Sequence, residues 1–396
     1  MWAFTLFLCA VASHAVLVVW ARSVVGRTPL RTFALVAFAF FACVALFGPR
    51  EYFGYTSFEL ALVMMGAGFY VAMRVLTRAP ALLRRKTKKK SDKDKDVDND
   101  NDGNVDKDKD IDGPKNAGRR EAILRIGGGV GWVASGAALS WGAARGRHDY
   151  QLVEIAVKIP GLPRTLDGYT LVQISDMHIG EFVGDEDLSR GLELVTRARG
   201  DLLVVTGDIV DFDESRAAGF AARIARIAPR DGIVGILGNH DYYADAGVVK
   251  SALTDAGIVM LQNESHVMRK DDRGGFALLG TDDYQGLRYG AHGPDLPATL
   301  ATLTDAAKEI PRILLAHQPR QFDDAAGSVA LQLSGHTHGL QFDFAALAGR
   351  ISHKYVAGRY EKNGSVLWVN SGFGVTGPPS RVGVPPEITK IVLVAA

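Results

Sequence analysis

The chain is predicted to be an α/β protein with a layered sheet core, preceded by an α-helical transmembrane region. Three observations predict this. Before residue 77 there are three almost uncharged apolar runs. From residue 148 onward short β-rich runs alternate with helical stretches, and five of six successive strand ends there deliver carboxylate, imidazole or carboxamide side chains. The whole-chain values, 396 residues with 47% hydrophobic, 22% charged and a formal net charge of +1, average two unlike halves. That contrast excludes a single soluble globule. Near-neutral charge supplies no basic face to displace counterions from phosphates, so no nucleic acid is expected as a partner. Cys9 and Cys43 are the only cysteines and both lie in apolar runs, which excludes a disulfide framework and a zinc ribbon.

Residues 2–20, 32–48 and 58–76 each approach the roughly 20 residues that cross a bilayer's hydrocarbon core. They predict a three-span region over 1–77, and hence a multi-pass protein of the cytoplasmic membrane whose first partner is the lipid bilayer. The first run lacks the positive n-region of a cleaved signal peptide, so it is read as an anchor. Glu59 and Arg74 are the charges in these runs and both sit near a span edge; with none in mid-span, a transport pathway has no support. Arg22, Arg27 and Arg31 lie in the first loop, Arg50 alone in the second, and six basic residues in seven follow at 84–90. Basic loops resist translocation, which puts the first loop and residue 78 onward in the cytoplasm and the N-terminus outside.

Residues 78–118 are read as a charged, disordered linker, because 91–116 alternate Asp with Lys and Asn and hold too little apolar surface to offset ordering entropy. Asp98, Asp100, Asp102, Gly103 and Asp106 match the early positions of an EF-hand-like loop, but Lys109 stands where the last Glu ligand belongs, so this is read as a spacer. Residues 119–147 carry Arg119, Arg120 and Arg125 before a fourth uncharged run at 126–144. This resembles a twin-arginine export signal embedded in the chain. If the run crosses, everything from Arg145 onward is extracytoplasmic.

The remaining segment, 148–396, has a comfortable single-domain size. Strands are predicted at 169–174, 202–206, 233–237, 276–280, 313–316, 330–333, 366–370 and 388–394, mostly continuous apolar runs as expected of strands covered on both faces. Helices are predicted at 188–198, 217–228, 247–256 and 300–310. The strand ends carry Ser175-Asp176-Met177-His178, Gly207-Asp208-Ile209-Val210-Asp211, Gly238-Asn239-His240-Asp241, His317 and Gly335-His336-Thr337-His338. Carboxyl ends of strands open onto the ligand crevice of an α/β sheet, so these groups are expected to converge.

Two Asp, one Asn and four His with no thiolate suit a pair of divalent ions such as Mn, Fe or Zn, with Mn favoured, rather than a closed structural zinc. Asp-x-His and His-x-His would set alternate side chains of an extended segment on one side, so each pair is expected to grip metal without backbone strain. Glycine before Asp208, Asn239 and His336 is expected to relieve crowding there.

The ordered set DxH, GDxxD, GNHD, H and GHxH resembles the calcineurin-like metallophosphoesterase superfamily, over 170–393. The tail from Asn370-Ser371-Gly372 to Glu387-Ile388-Thr389 resembles the membrane-associated or twin-arginine-exported phosphodiesterases of bacteria, including relatives acting on a nucleotide-linked lipid A precursor. The resemblance implies two facing mixed sheets flanked by helices. Carried over by motif, it implies Asp176, His178 and His338 on a first metal and Asn239, His317 and His336 on a second, with Asp208 bridging. It further implies attack by a metal-bridging hydroxide, His240 as general acid for the leaving alkoxide, and Asp211 as the group that orients this imidazole.

The reading is therefore a membrane-anchored, metal-dependent phosphodiesterase or pyrophosphatase acting on a lipid- or nucleotide-linked phosphoester. The alternatives are a cytoplasm-facing pyrophosphatase for a UDP-linked lipid A precursor and a non-catalytic metal-binding sensor or scaffold. Phe212 stands where protein Ser/Thr phosphatases of the superfamily carry a phosphate-clamping Arg, which disfavours a phosphoprotein substrate. Leu340 replaces a second glycine after GHTHG. His14, His148, His266, His292 and His353 are assigned to membrane helix, linker or ordinary surface, and Asp241, Asp282 and Asp283 to turns or supporting hydrogen bonds. Arg381 is read either as a contact to substrate phosphate or as an exposed arginine. The sequence identifies no protein partner.

Overall fold

A computed structural model describes residues 114–271, 274–342 and 354–396, together with Ala15, Val16, Val19 and Val71, each helical. The three predicted spans otherwise lie outside the described residues, as do the EF-hand-like segment, His14 and His353. The chain divides into two compact units, Met1–Leu139 and Ser140–Ala396. Helix α1 (Pro114–Ala144) runs through the predicted twin-arginine segment and fourth apolar run. Pro114 opens it without loss, since a first-turn N–H has no helical partner. Among the described residues Glu121–His148 is the one helical stretch long and apolar enough to cross a bilayer, by length and composition.

The second unit is built on two six-stranded mixed sheets. One contains β1 (Gln151–Ile159), β2 (Thr170–Ile174), β3 (Leu202–Thr206), β4 (Ile233–Ile236), β5 (Val259–Met260) and β12 (Glu387–Ala395), in the order β1-β12-β2-β3-β4-β5. Only the β12–β2 pairing is antiparallel. The other contains β6 (Glu264–Asp271), β7 (Gly274–Gly280), β8 (Arg312–Leu315), β9 (Leu331–Ser334), β10 (Gly358–Lys362) and β11 (Ser365–Val369), in the order β10-β11-β9-β8-β7-β6, antiparallel at its two edges. This is the α/β architecture of two mixed sheets that the motifs implied.

The central strands form because Val, Leu and Ile run unbroken and both faces find cover; Leu202 to Val205 are each at most 1% exposed. Leu171, Leu202, Val204 and Val234 meet Phe276, Leu278, Ile313 and Leu331 between the sheets. Each such side chain contributes about 1.5–3 kcal/mol of burial. On the far face of the first sheet Val172, Leu203 and Val205 pack against α2 (Asp185–Ala198), α3 (Ala217–Ala225) and a later helix, Ala246–Asp255.

The eight predicted strands are all present within two residues at either end. The strands without a sequence signal are β1, β5, β6 and β10: β5 has two residues, and the other three are edge strands whose sequences are interrupted by Gln, Glu, Arg or Lys, which removes a continuous apolar run. The helix predicted over 300–310 is displaced. Asp295 accepts from the Ala298 amide and starts the helix at Leu296–Ala301, and a 3-10 turn follows at Asp305–Ala307. That Asp is the N-cap a helix prefers.

Strands β2, β3 and β4 run parallel in one sheet and β7, β8, β9 and β11 in the other. Their carboxyl ends share one rim, and the loops that follow are tied to each other. The Asp176 amide donates to Gly207 O at 3.0 Å, His178 to Asp208 O at 3.0 Å, Gly335 to His317 O at 3.1 Å and Gly374 to Asp176 O at 2.8 Å.

Candidate metal centre

All the motif side chains predicted from the sequence meet at this rim. His178 Nε2 lies 2.9 Å from His338 Nε2, and His338 Nε2 lies 3.4 Å from Asp176 Oδ1. Asp208 Oδ2 lies 3.5 Å from His178 Nε2 on one side and 3.1 Å from His317 Nε2 on the other. His317 Nε2 is 3.2 Å from Asn239 Oδ1 and 3.3 Å from His336 Nδ1. Two nests of donors thus share Asp208. Asp176, His178 and His338 form one group able to hold a metal ion, Asp208, His317 and His336 another, and His178, Asp208 and His240 a third that overlaps them, with the ligand atoms of each group within 4.8 Å of one another.

The chemistry of the donor set fits two ions. Imidazole nitrogens facing each other in a buried site need a proton or a cation between them, and hard-to-borderline divalent cations accept this mixture of carboxylate, carboxamide and imidazole. Electrostatics agree for Asp208, His336 and His338, whereas burial raises Asp176 and the Asp208 carboxylate, outweighing burial, raises His317, so that each of those two holds its proton more tightly than usual. Burial would push the Asp208 carboxyl up, but the His317, His240 and His178 imidazoles hold it well below the usual range. Burial depresses His336 to about 3, with His317 beside it, and His338 is held well below its ordinary value by burial, His178 and Arg381. Both are therefore neutral, as metal ligands must be.

The pairs do not sit on extended backbone as the alternation argument required. Asp176, His178, Asp208, His336 and His338 all take positive φ, from 45° to 73°. Left-handed non-glycine residues cost about 1–2 kcal/mol each, so the expectation of an unstrained grip is wrong: the loops after the strands, rather than the strands, aim the ligands. Leu340, in place of glycine, has φ 65° as well. The crowding argument does hold. A Cβ on Gly238 would overlap Asp208 Oδ1 and its amide, and one on Gly335 would overlap Asp176 Oδ2 and Ser175 Oγ. Gly335→Ala is expected to cost about 1–3 kcal/mol of stability and to lower metal content, checked by thermal melts and elemental analysis.

His240 stands at the edge of the centre on α4 (Asn239–Tyr243), which follows β4 and also carries Asn239. Its amide donates to Asp208 Oδ1 at 2.8 Å, and its Nδ1 lies 2.8 Å from Asp211 Oδ1. Burial lowers the affinity of this ring for its proton, but Asp208 and Asp211 outweigh it and the pKa is raised. Asp211 itself is drawn down to about 2 against burial by His178 and His240. Asp241 accepts from the Ile209, Val210 and Gly238 amides, at 2.9, 3.2 and 2.8 Å, and joins the Asp208 loop to α4. Asp283 accepts from the Gln285 amide and the Gln318 side chain, and Asp282 accepts from Tyr242 Oη. All three play the supporting part assigned to them. His148 does more than expected: its Nδ1 pairs with Asp187 Oδ1 at 2.6 Å.

Arg381 is the residue the sequence misplaced. It is 1% exposed and is the largest fully buried side chain, neither a surface arginine nor one open to substrate. Its guanidinium donates to Gly372 O, Gly374 O and Val384 O and lies 3.1 Å from His338 Nδ1. No carboxylate forms an ion pair with it among the described residues, and burial brings it down to about 10. Its carbonyl is packed against Gly142 and Gly146, where a Cβ would overlap it. Nothing local in a Gly/Pro-rich tail foretells that burial.

The profile of the calcineurin-like phosphoesterases matches residues 169–340. A Danio rerio protein described as a transmembrane protein with metallophosphoesterase domain is 33% identical over 262 residues, 64% of this chain and 59% of that protein. A Bos taurus protein of the same description is 30% identical over 254 residues, 61% of this chain and 56% of that protein. The chain thus spans less than two thirds of either vertebrate relative. The uncharacterized metallophosphoesterase YkuE of Bacillus subtilis is 31% identical over 294 residues, 70% of this chain and 98% of that protein. Its near-complete coverage, with the profile running from the first site strand through the last ligand loop, means that the chain belongs to the calcineurin-like phosphoesterase family.

Proposed function

We propose that this chain is a membrane-anchored phosphodiesterase or pyrophosphatase that works with two divalent metal ions, manganese favoured, on a lipid- or nucleotide-linked phosphoester. The observation that carries the reading is the pair of donor nests sharing Asp208. Asp176, His178 and His338 would hold one ion, Asn239, His317 and His336 the other, with Asp208 between. Bound there, the ions supply an activated water and the positive charge that draws in and polarises phosphate. Asp211 holds His240 by Nδ1, which leaves Nε2 to give its proton to the departing oxygen, and Asp208 fixes the backbone of His240 through its amide. Arg381 fixes the ring of His338 from behind. Membrane anchoring is supported by the apolar length of Glu121–His148 and by the two vertebrate relatives, which are described as transmembrane proteins. The twin arginines before that stretch favour a site outside the cytoplasm.

Purified protein is expected to hydrolyse bis(p-nitrophenyl) phosphate in a Mn-dependent manner, and faster than the p-nitrophenyl monoester, because no guanidinium stands at position 212 to clamp a dianion. Preference for the monoester would reverse the substrate class. Alkaline phosphatase fused after Arg147 is expected to be active; a silent fusion would place the site in the cytoplasm.

A further inference from the structure

The far end of α1 is built into the second unit. Gly142 and Gly146 are both buried, and each faces the backbone of Arg381. The Arg381 amide donates to Gly142 O at 3.3 Å, and a Cβ on Gly142 or Gly146 would lie only 2.7 or 2.1 Å from Arg381 O. Ser380 Oγ and Val382 Cγ2 crowd Gly142 as well. Arg147 closes the turn, donating to Ala143 O at 3.0 Å and to Phe182 O at 2.8 Å. Glycine weakens a helix relative to alanine; at Gly142 it admits the tail backbone instead.

From that contact Arg381 reaches the first donor nest. Its side chain donates to Gly374 O at 2.9 Å and to Gly372 O at 3.1 Å, and lies 3.1 Å from His338 Nδ1. The same loop is tied to the other side of the nest, where the Phe373 amide donates to Ser175 O and the Gly374 amide to Asp176 O, each at 2.8 Å. Gly372, with φ 80°, stands between them: a Cβ there would come 3.0 Å from Asp176 Cβ, 3.1 Å from His338 Nδ1 and 3.2 Å from Arg381 Nη2. None of these contacts involves Asn239, His317 or His336.

We infer that the end of α1 positions the nest of Asp176, His178 and His338 through Arg381, with Gly142 and Gly146 as positioning residues. The inference rests on the two-ion reading of the centre. A side chain at either glycine must push the 380–382 backbone, and the guanidinium moves with it. An outer partner of a metal ligand sets the ligand's direction, so a small displacement is felt as lost affinity for the ion. The nest of Asn239, His317 and His336 lies outside this chain of contacts and is spared. The end of α1 is thereby a working part of the metal centre.

The test is a Mn(II) titration of the full-length protein, with free Mn(II) read by electron paramagnetic resonance and bound metal by elemental analysis. Gly142→Ala and Gly146→Ala are expected to keep one ion at wild-type affinity and to bind the other at least about tenfold more weakly, the range for an outer partner of a ligand. Gly219→Ala, on α3 where a Cβ meets nothing within 4 Å, is expected to match the wild type. Adding Asn239→Ala to Gly142→Ala is expected to remove the tight ion and leave the weak one. Two wild-type affinities in the folded glycine variants, or both ions weakened alike, would overturn the inference; a merely structural cost lowers the melting point of the metal-free protein and leaves both affinities alone. Should the glycine variants not fold, Arg381→Lys carries the test with the same expected result, since lysine keeps the charge and loses the fork. Fewer than two ions in the wild type would instead sink the two-ion reading. Gly142→Ala then decides alone: weaker binding of the single ion upholds the link, and unchanged binding removes it.

Discussion

Asp208→Asn is expected to strip the protein of bound metal and to lower kcat/KM by well over a hundredfold, more than the roughly ten- to hundredfold loss that removing an outer-sphere partner of a metal ligand causes. The reason is geometric. Asp208 is the one carboxylate within reach of both donor nests, 3.5 Å from His178 Nε2 and 3.1 Å from His317 Nε2. Its carboxyl is held ionised by three imidazoles against the effect of burial, and the carboxamide of Asn carries no charge to replace it. Elemental analysis of the variant checks the first half of the expectation and steady-state kinetics the second. A variant that keeps both ions would show that Asp208 does not join them.

His240→Ala is expected to behave in the opposite sense: full metal content and a kcat reduced by about two to four orders of magnitude, the range for loss of a general acid. The separation follows from position. His240 is tied to Asp208 Oδ1 through its backbone amide, which survives the substitution. Its ring lies 4.4 Å from that of His178 between centroids but is held by Asp211 at Nδ1, so it is read as a proton donor beside the ligands rather than one of them. The pH profile adds a sharper check. Asp208 and Asp211 raise the pKa of His240 against burial, and a general acid works only while protonated, so kcat falls as pH rises through that pKa. Asp211→Asn removes one of the two charges that raise it, so the alkaline limb is expected to move to lower pH. A limb that stays in place in Asp211→Asn would mean that another group supplies the proton.

Much of this centre was legible because its chemistry is concentrated at strand ends. Unbroken apolar runs such as Leu202 to Val205 announce a doubly covered strand, and the polar residues that follow have one rim on which to meet. How they meet was not legible. Left-handed backbone at Asp176, His178, Asp208, His336 and His338 is fixed by hydrogen bonds between separate loops, some near in the chain, as from the His178 amide to Asp208 O, and some far apart, as from the His336 amide to Asp176. No local pattern encodes those bonds. Arg381 illustrates the same gap: charge and flanking prolines suggest a surface loop, yet three carbonyls from its own tail satisfy the guanidinium in the interior. Edge strands β1 and β10 escaped notice because one of their faces is wet.

The central claim is that seven side chains hold two ions joined through one carboxylate. Its most direct test is electron paramagnetic resonance of the protein titrated with Mn(II), read alongside elemental analysis. The account predicts two ions per chain and, at saturation, the signal of an exchange-coupled pair, lost in Asp208→Asn. Saturation at one ion, or two ions giving the spectra of isolated sites, would contradict it.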